Sequence, residues 1–124
     1  MEYDAQMEPN SEEWLALEEG ERLAAIIEYH EYIGEELPNL NLHAAIHAVV
    51  ENQIAMGEAT PMQTLERLLS ERLDRHEAIH AIGSVLSEQI FNVLKGRQSN
   101  AADASQYDRK LAKLTAKKWQ KMNR

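Results

Sequence analysis

Five histidines are the residues of this 124-residue chain best suited to chemistry: His30, His43, His47, His76 and His80. Four of them form two pairs, His43/His47 and His76/His80, each spaced i, i+4. On a helix that spacing puts both imidazoles of a pair on one face, one turn apart. Imidazole is the commonest protein ligand for transition metals. Two such faces meeting between helices would surround an ion. The chain has no cysteine, so disulfides and thiolate sites are excluded and any metal must be held by His, Asp, Glu or water. Four imidazoles suit zinc, copper, nickel or iron. The expected cofactor is a divalent metal, zinc or iron, on His43, His47, His76 and His80, with Glu51, Glu77 and His30 in reserve.

The elements that must position these residues are helices. Two Trp, four Tyr and one Phe leave a core built mainly from Leu, Ile, Val and Ala. No run alternates like a strand, and the apolar residues recur at helical spacing. A short turn is expected over 11–17 and a helix over 18–33, ended by Gly34 and Pro38. A second helix is expected over 42–56, with Asn41 as its N-cap and Gly57 past its end. A third runs from a Thr60 cap, with Pro61 in the first position and Gln63 reaching back, to about Leu73. The fourth runs from an Asp74 cap to Leu94. Together they predict an all-α fold, an up-and-down four-helix bundle over 11–95. Residues 1–10 read as a flexible acidic lead, 96–106 as a linker, and 107–124 as a basic tail or extra helix. The core stripes are expected on Leu42, Ile46, Val49, Val50 and Ile54, and on Ile79, Ile82, Leu86, Ile90 and Val93.

At about 100° per residue, with Ile46 as zero, His43 falls near about +60° and His47 near about +100°. With Ile79 as zero, His76 and His80 fall at the same two angles. Both pairs therefore sit at the same edge of their stripes, which predicts that the two helices are neighbours. Gln53 lies in mid-stripe and would orient a ligand imidazole by a hydrogen bond, or sit at an exposed stripe end. Gly83 also lies in its stripe, where close helix approach or room for a ligand would account for it.

Plainer readings and more specific metal patterns stand beside this one. The histidines can be edge-of-core residues that hydrogen-bond across helices. His76-Glu77-Ala78-Ile79-His80 matches the H-E-x-x-H pattern of zinc hydrolases and continues to Gly83, but Leu86 stands where the longer pattern needs its third histidine. The chain is also short for a protease with a substrate cleft. Glu77 sits three residues after Asp74, where a glutamate closes a capping box. His47-x-x-x-Glu51 beside His76-x-x-x-His80 resembles part of a hemerythrin iron site, with His30 as a further ligand, but the spacing departs. A ferritin-like di-iron site needs two Glu-x-x-His motifs, and only Glu77-x-x-His80 is present.

Charge is divided unevenly: residues 1–106 carry a net −14 and residues 107–124 a net +6. An acidic body repels nucleic acid. Only the tail, with Arg109, Lys110, Lys113, Lys117, Lys118, Lys121 and Arg124 around Tyr107 and Trp119, could touch it. The plainer reading is a basic helix lying on the acidic body, or a solvated extension. No apolar run is long enough to span a bilayer and the acidic N-terminus has no signal-like segment, so a cytoplasmic location is expected. The interaction reading is a non-catalytic module that uses this acidic body and basic tail to bind a protein or RNA. A homo-oligomer is compatible with either reading, and no reaction is specified.

The stretches Leu37–His47, Glu51-Asn52-Gln53 and Leu73–His80 resemble a bacterial family of short His-rich helical proteins, domain of unknown function 1841. The resemblance covers roughly residues 14–95 and excludes the basic tail. It implies a bacterial source and supplies no reaction.

Overall fold

The computed structural model describes residues 2–35, 37–96 and 100–122, with side chains from 105 onward in the last segment. The described residues form seven helices and no strand: α1 (Ser11–Ala16), α2 (Glu19–Tyr32), α3 (Leu40–Ala55), α4 (Ala59–Ser70), α5 (Arg75–Leu94), α6 (Asn100–Lys113) and α7 (Ala116–Met122). The fold is therefore all-α. No described helix is long and apolar enough to cross a membrane.

Local chemistry sets most of the helix ends. Asn10 caps α1, accepting from the Glu13 N–H at 3.0 Å. The Glu18 N–H donates to the Glu21 carboxylate ahead of α2. Asp74 caps α5 as expected, accepting from the Glu77 N–H at 2.8 Å. Gly34 and Gly57 follow α2 and α3 with φ of 72° and 76°, values a side chain would strain.

Two helix starts differ from expectation. Asn39, not Asn41, caps α3, because its Oδ1 reaches the Leu42 N–H at 3.1 Å straight after the Pro38 turn. Thr60 does not cap α4, which begins one residue earlier at Ala59. The Thr60 carbonyl instead accepts from the Thr64 hydroxyl at 2.8 Å.

Helix α3 packs on α1, α2, α4 and α5, and α5 packs on α3, α4 and α6. The expected neighbours, the second and fourth predicted helices, are thus α3 and α5. Their close approach uses Gly83: a Cβ there would stand 3.1 Å from Ile46 Cγ2. One apolar cluster joins Val50, Leu68, Ile79 and Ile82 to Leu111 and Trp119, and a second gathers Tyr3, Trp14, Ile26 and Ala44.

The buried face of α3 is turned away from its apolar stripe. Its buried residues are Ala44, His47, Val50, Glu51 and Ile54, while Leu42 and Val49 are exposed. With Ile46 as zero, that face runs from about +40° to about +160° and is centred on His47. On α5, Ile90 is exposed where it was expected inside, and Gln89 is buried.

The chain after α5 is not a peripheral tail. Helix α6 begins at Asn100, inside the expected linker, whose residues 97–99 lie outside the described residues. Tyr107, Leu111, Leu114, Ala116 and Trp119 are buried in the first cluster. Arg67 donates to the Leu111 and Leu114 carbonyls, both at 2.8 Å, and the Glu71 carboxylate accepts from the Ala116 N–H at 2.8 Å. Lys110 pairs with Glu88 at 3.0 Å. Tyr107 and Trp119, the aromatics that base stacking would need, face the core.

Candidate metal centre

All five histidines meet between α2, α3 and α5. His30 comes from the last turn of α2, His43 and His47 from the first half of α3, and His76 and His80 from the first turns of α5. His43 Nε2 lies 2.9 Å from His80 Nε2, and His76 Nε2 lies 3.3 Å from His30 Nε2. His30 is fully buried, His47 and His76 nearly so, and His43 and His80 half-buried.

Ligand-capable atoms gather in two overlapping sets. One is His30, His47, His76 and His80; the other is His30, Glu35, His43 and His80. Within each set the donor atoms all lie within 4.8 Å of one another. Several histidines thus sit close enough together to hold a metal ion.

Sequence reasoning placed His43, His47, His76 and His80 first and His30 in reserve, whereas in the structure His30 belongs to both sets. A signal for it was present: His30 follows Ile26 by four residues and so shares the buried face of α2. Glu35 carried no such signal, because it lies in the loop after Gly34, where helical periodicity has stopped.

The surroundings set which nitrogen carries the hydrogen in His30 and in His47. His30 Nδ1 lies 2.8 Å from the Ile26 carbonyl. A carbonyl can only accept, so Nδ1 carries the hydrogen and Nε2 keeps its lone pair. His47 Nε2 lies 2.8 Å from the Tyr3 hydroxyl, whose own hydrogen goes to Glu51 Oε2 in a very short bond. The hydroxyl must then accept from His47 Nε2–H, which leaves the lone pair on Nδ1. That Nδ1 is buried and has no hydrogen-bond partner among the described residues.

Glu51 is held in turn by Arg75, with Nη2 to Oε1 at 2.7 Å and Nη1 to Oε2 at 2.8 Å. Arg75 also donates to the Ala5 carbonyl at 3.1 Å, which ties down the N-terminal segment. The Tyr3 ring packs on Trp14, Tyr29 and His47. Arg75, Glu51, Tyr3 and His47 thus form one buried relay. It orients an imidazole as hydrogen-bonded carboxylates orient metal-ligating histidines elsewhere. Residues 1–10 were expected to be a flexible lead. Tyr3 and Ala5 of that segment are instead buried. Nothing in the periodicity of a non-helical segment could have revealed this.

Gln53, expected to orient an imidazole, and Glu77, a reserve ligand, do other work. Gln53 accepts from the Tyr107 hydroxyl at 2.8 Å and makes no described bond to a histidine. The Glu77 carboxylate accepts from Trp119 Nε1 at 2.5 Å rather than closing a capping box, and it belongs to neither donor set. The H-E-x-x-H match therefore supplies two histidines to the cluster without its glutamate.

Burial favours the neutral form of His43, His47, His76 and His80. It holds His47 well below its ordinary pKa of 6.5, reinforced by His80 and the other histidines. It lowers His80 to about 3, with His76, His43 and His30 adding to the effect. His43 and His76 are also lowered, first by burial and then by His30. Neutral imidazole is the form that binds metal. A cavity of ≈ 550 Å³ opens beside the cluster and is lined by Glu35, His43, His47 and His80, with Ile46 and Trp119 among its other walls.

Fold and site define an all-α protein with a buried histidine cluster between three helices. The chain belongs to the family described as Domain of unknown function (DUF1841), whose model matches residues 6–113. That match takes in α6, beyond the stretch where the sequence resemblance lay. No curated protein and no solved structure matches the chain.

Proposed function

We propose that this protein binds a divalent transition metal ion, zinc or ferrous iron, through its histidine cluster, with His30 joining His43, His47, His76 and His80 as a ligand. The observation that carries this reading is the gathering of the donor atoms of His30, His47, His76 and His80 within 4.8 Å.

Three features support it over a purely structural cluster. Nitrogen ligands stand about 2.0–2.1 Å from zinc, so two of them on one ion are separated by about 3.3 Å at tetrahedral angles and about 2.9 Å at right angles. The two Nε2···Nε2 distances, 3.3 Å and 2.9 Å, fit those edges, and without an ion they are imidazole–imidazole hydrogen bonds, so the same nitrogens can exchange one partner for the other. His47 Nδ1 is an orphaned buried acceptor, which a hydrogen-bonded packing cluster would avoid. The lowered pKa values of His47 and His80 leave lone pairs available at neutral pH.

The test is calorimetric titration of zinc, and of ferrous iron without oxygen, into chelator-treated full-length protein. We expect saturable binding that is lost in His47→Ala/His80→Ala. His30→Ala is expected to weaken binding as strongly as loss of either of those residues alone. Weak, non-saturating heats in wild type and variant alike would reduce the cluster to packing.

A further inference from the structure

The donors around this cluster exceed one coordination sphere, and they divide. His30, His47, His76, His80, His43 and Glu35 offer six ligand groups. They do not form a single set: His47 and His76 belong only to one, and Glu35 and His43 only to the other. Each set also contains one closely apposed nitrogen pair, His30 with His76 at 3.3 Å and His43 with His80 at 2.9 Å. Giving each imidazole to one ion leaves three ligands on each side: His30, His47 and His76 within, and His43, His80 and Glu35 without.

The two groups differ in surroundings. The inner three are buried, and two of them have their hydrogens committed away from the cluster, His30 to a backbone carbonyl and His47 to Tyr3. All of the outer three line the ≈ 550 Å³ cavity, and of the inner three only His47 reaches its wall. Glu35 Oε1 is itself a buried acceptor with no hydrogen-bond partner among the described residues, and it lies 3.7 Å from His30 Nε2, at the seam between the groups. A carboxylate at that seam can bridge two cations and offset part of their charge. Without that charge, two cations this close would repel strongly in a buried site.

We propose that the cluster is a dinuclear centre, with an inner ion on His30, His47 and His76, an outer ion on His43, His80 and Glu35, and Glu35 between them. This rests on the metal-binding reading above and adds a second ion with a different character. The inner ion is held by the more deeply buried histidines. The outer ion has three protein ligands, and its remaining positions face the cavity, the arrangement that leaves an ion free to take water or a small ligand.

Stoichiometry tests it. Chelator-treated full-length protein is dialysed against zinc near neutral pH, and bound metal is measured by elemental analysis. Two equivalents per chain are expected in wild type, and one in Glu35→Gln/His43→Ala, whose replaced side chains are only half-buried. One equivalent in wild type would overturn the second ion and leave the metal-binding reading intact. None would overturn both. Two equivalents persisting in the variant would place the second ion elsewhere, on the acidic surface, and would equally overturn the proposal. Cobalt(II) gives an answer that needs no variant. Ions about 3.5–4 Å apart, as in two-metal sites, couple magnetically. The paramagnetic resonance signal of the first equivalent should then fade as the second binds. A signal that simply doubles would refute the dinuclear centre.

Discussion

Replacing Tyr3 with phenylalanine removes one oxygen and keeps the ring, so its cost can be worked from two hydrogen bonds. The ring contacts with Trp14 and Tyr29, at centroid distances of 5.5 and 5.6 Å, are retained. Glu51 Oε2 still accepts from Arg75 Nη1. His47 Nε2–H, however, loses its acceptor at a buried position. An unsatisfied buried group of this kind costs about 1–3 kcal/mol. For a chain of this length, with an unfolding entropy of about 2.1 cal/mol/K per residue, that corresponds to a Tm lower by roughly 4–12 °C. His47 is also released to move its hydrogen to Nδ1, which would occupy the lone pair that the proposed metal binding needs. Loss of such a supporting bond weakens metal binding about 10–100-fold. Both quantities are read on chelator-treated protein: Tm by calorimetry, and affinity by zinc titration against a competing chelator. A Tm and an affinity both equal to wild type would show that the hydroxyl does not orient His47, and the relay argument would fall.

Stability of the metal-free protein should decline as pH falls below 6.5, because the unfolded chain then binds protons that folded His47 and His80 refuse until far lower pH, about 3 for His80. The slope approaches about 1.4 kcal/mol per pH unit for each such histidine. Denaturant midpoints at pH steps between about 6.5 and 5, above the carboxylate range, measure it. A flat profile would mean that the histidines are not held neutral. Truncation before Gln98, at the segment that reads as a linker in the sequence, should abolish cooperative unfolding. It removes Leu111, Leu114 and Trp119 from the core, and losing a buried Leu or Trp side chain costs about 2–5 kcal/mol against a typical total of about 5–15. A truncated chain melting as wild type does would refute that placement.

The helical class and most helix ends were legible because capping groups and turn glycines act locally: Asp74, Gly34 and Gly57 stand where they were expected to act. The meeting of the two histidine pairs was legible too, because i, i+4 spacing is geometry. The rotation of α3 was not. Hydrophobic periodicity assumes that burial follows apolarity, and here Glu51 and His47 are buried because Arg75 and Tyr3 satisfy them, while Val49 and Leu42 are left outside. A helix face stabilised by polar partners from remote segments carries no periodic signature. For the same reason Tyr3 and Arg75 went unremarked, and the scarcity of apolar residues over 96–106 read as a linker.

The bonds that orient His47 also bear on how the chain folds. Tyr3 reaches His47 across 44 residues and Glu51 across 48, and Arg75 reaches Ala5 across 70. Helical proteins usually fold fast because their contacts are local, and long-range pairings slow the search. The caps of α3 and α5, Asn39 and Asp74, lie next to the helices they start, but neither helix can set the tautomer of His47. That choice waits until the two ends of a long loop have met. An ion offered to the chain before that meeting would find the imidazoles nearby but one of them free to present the wrong nitrogen.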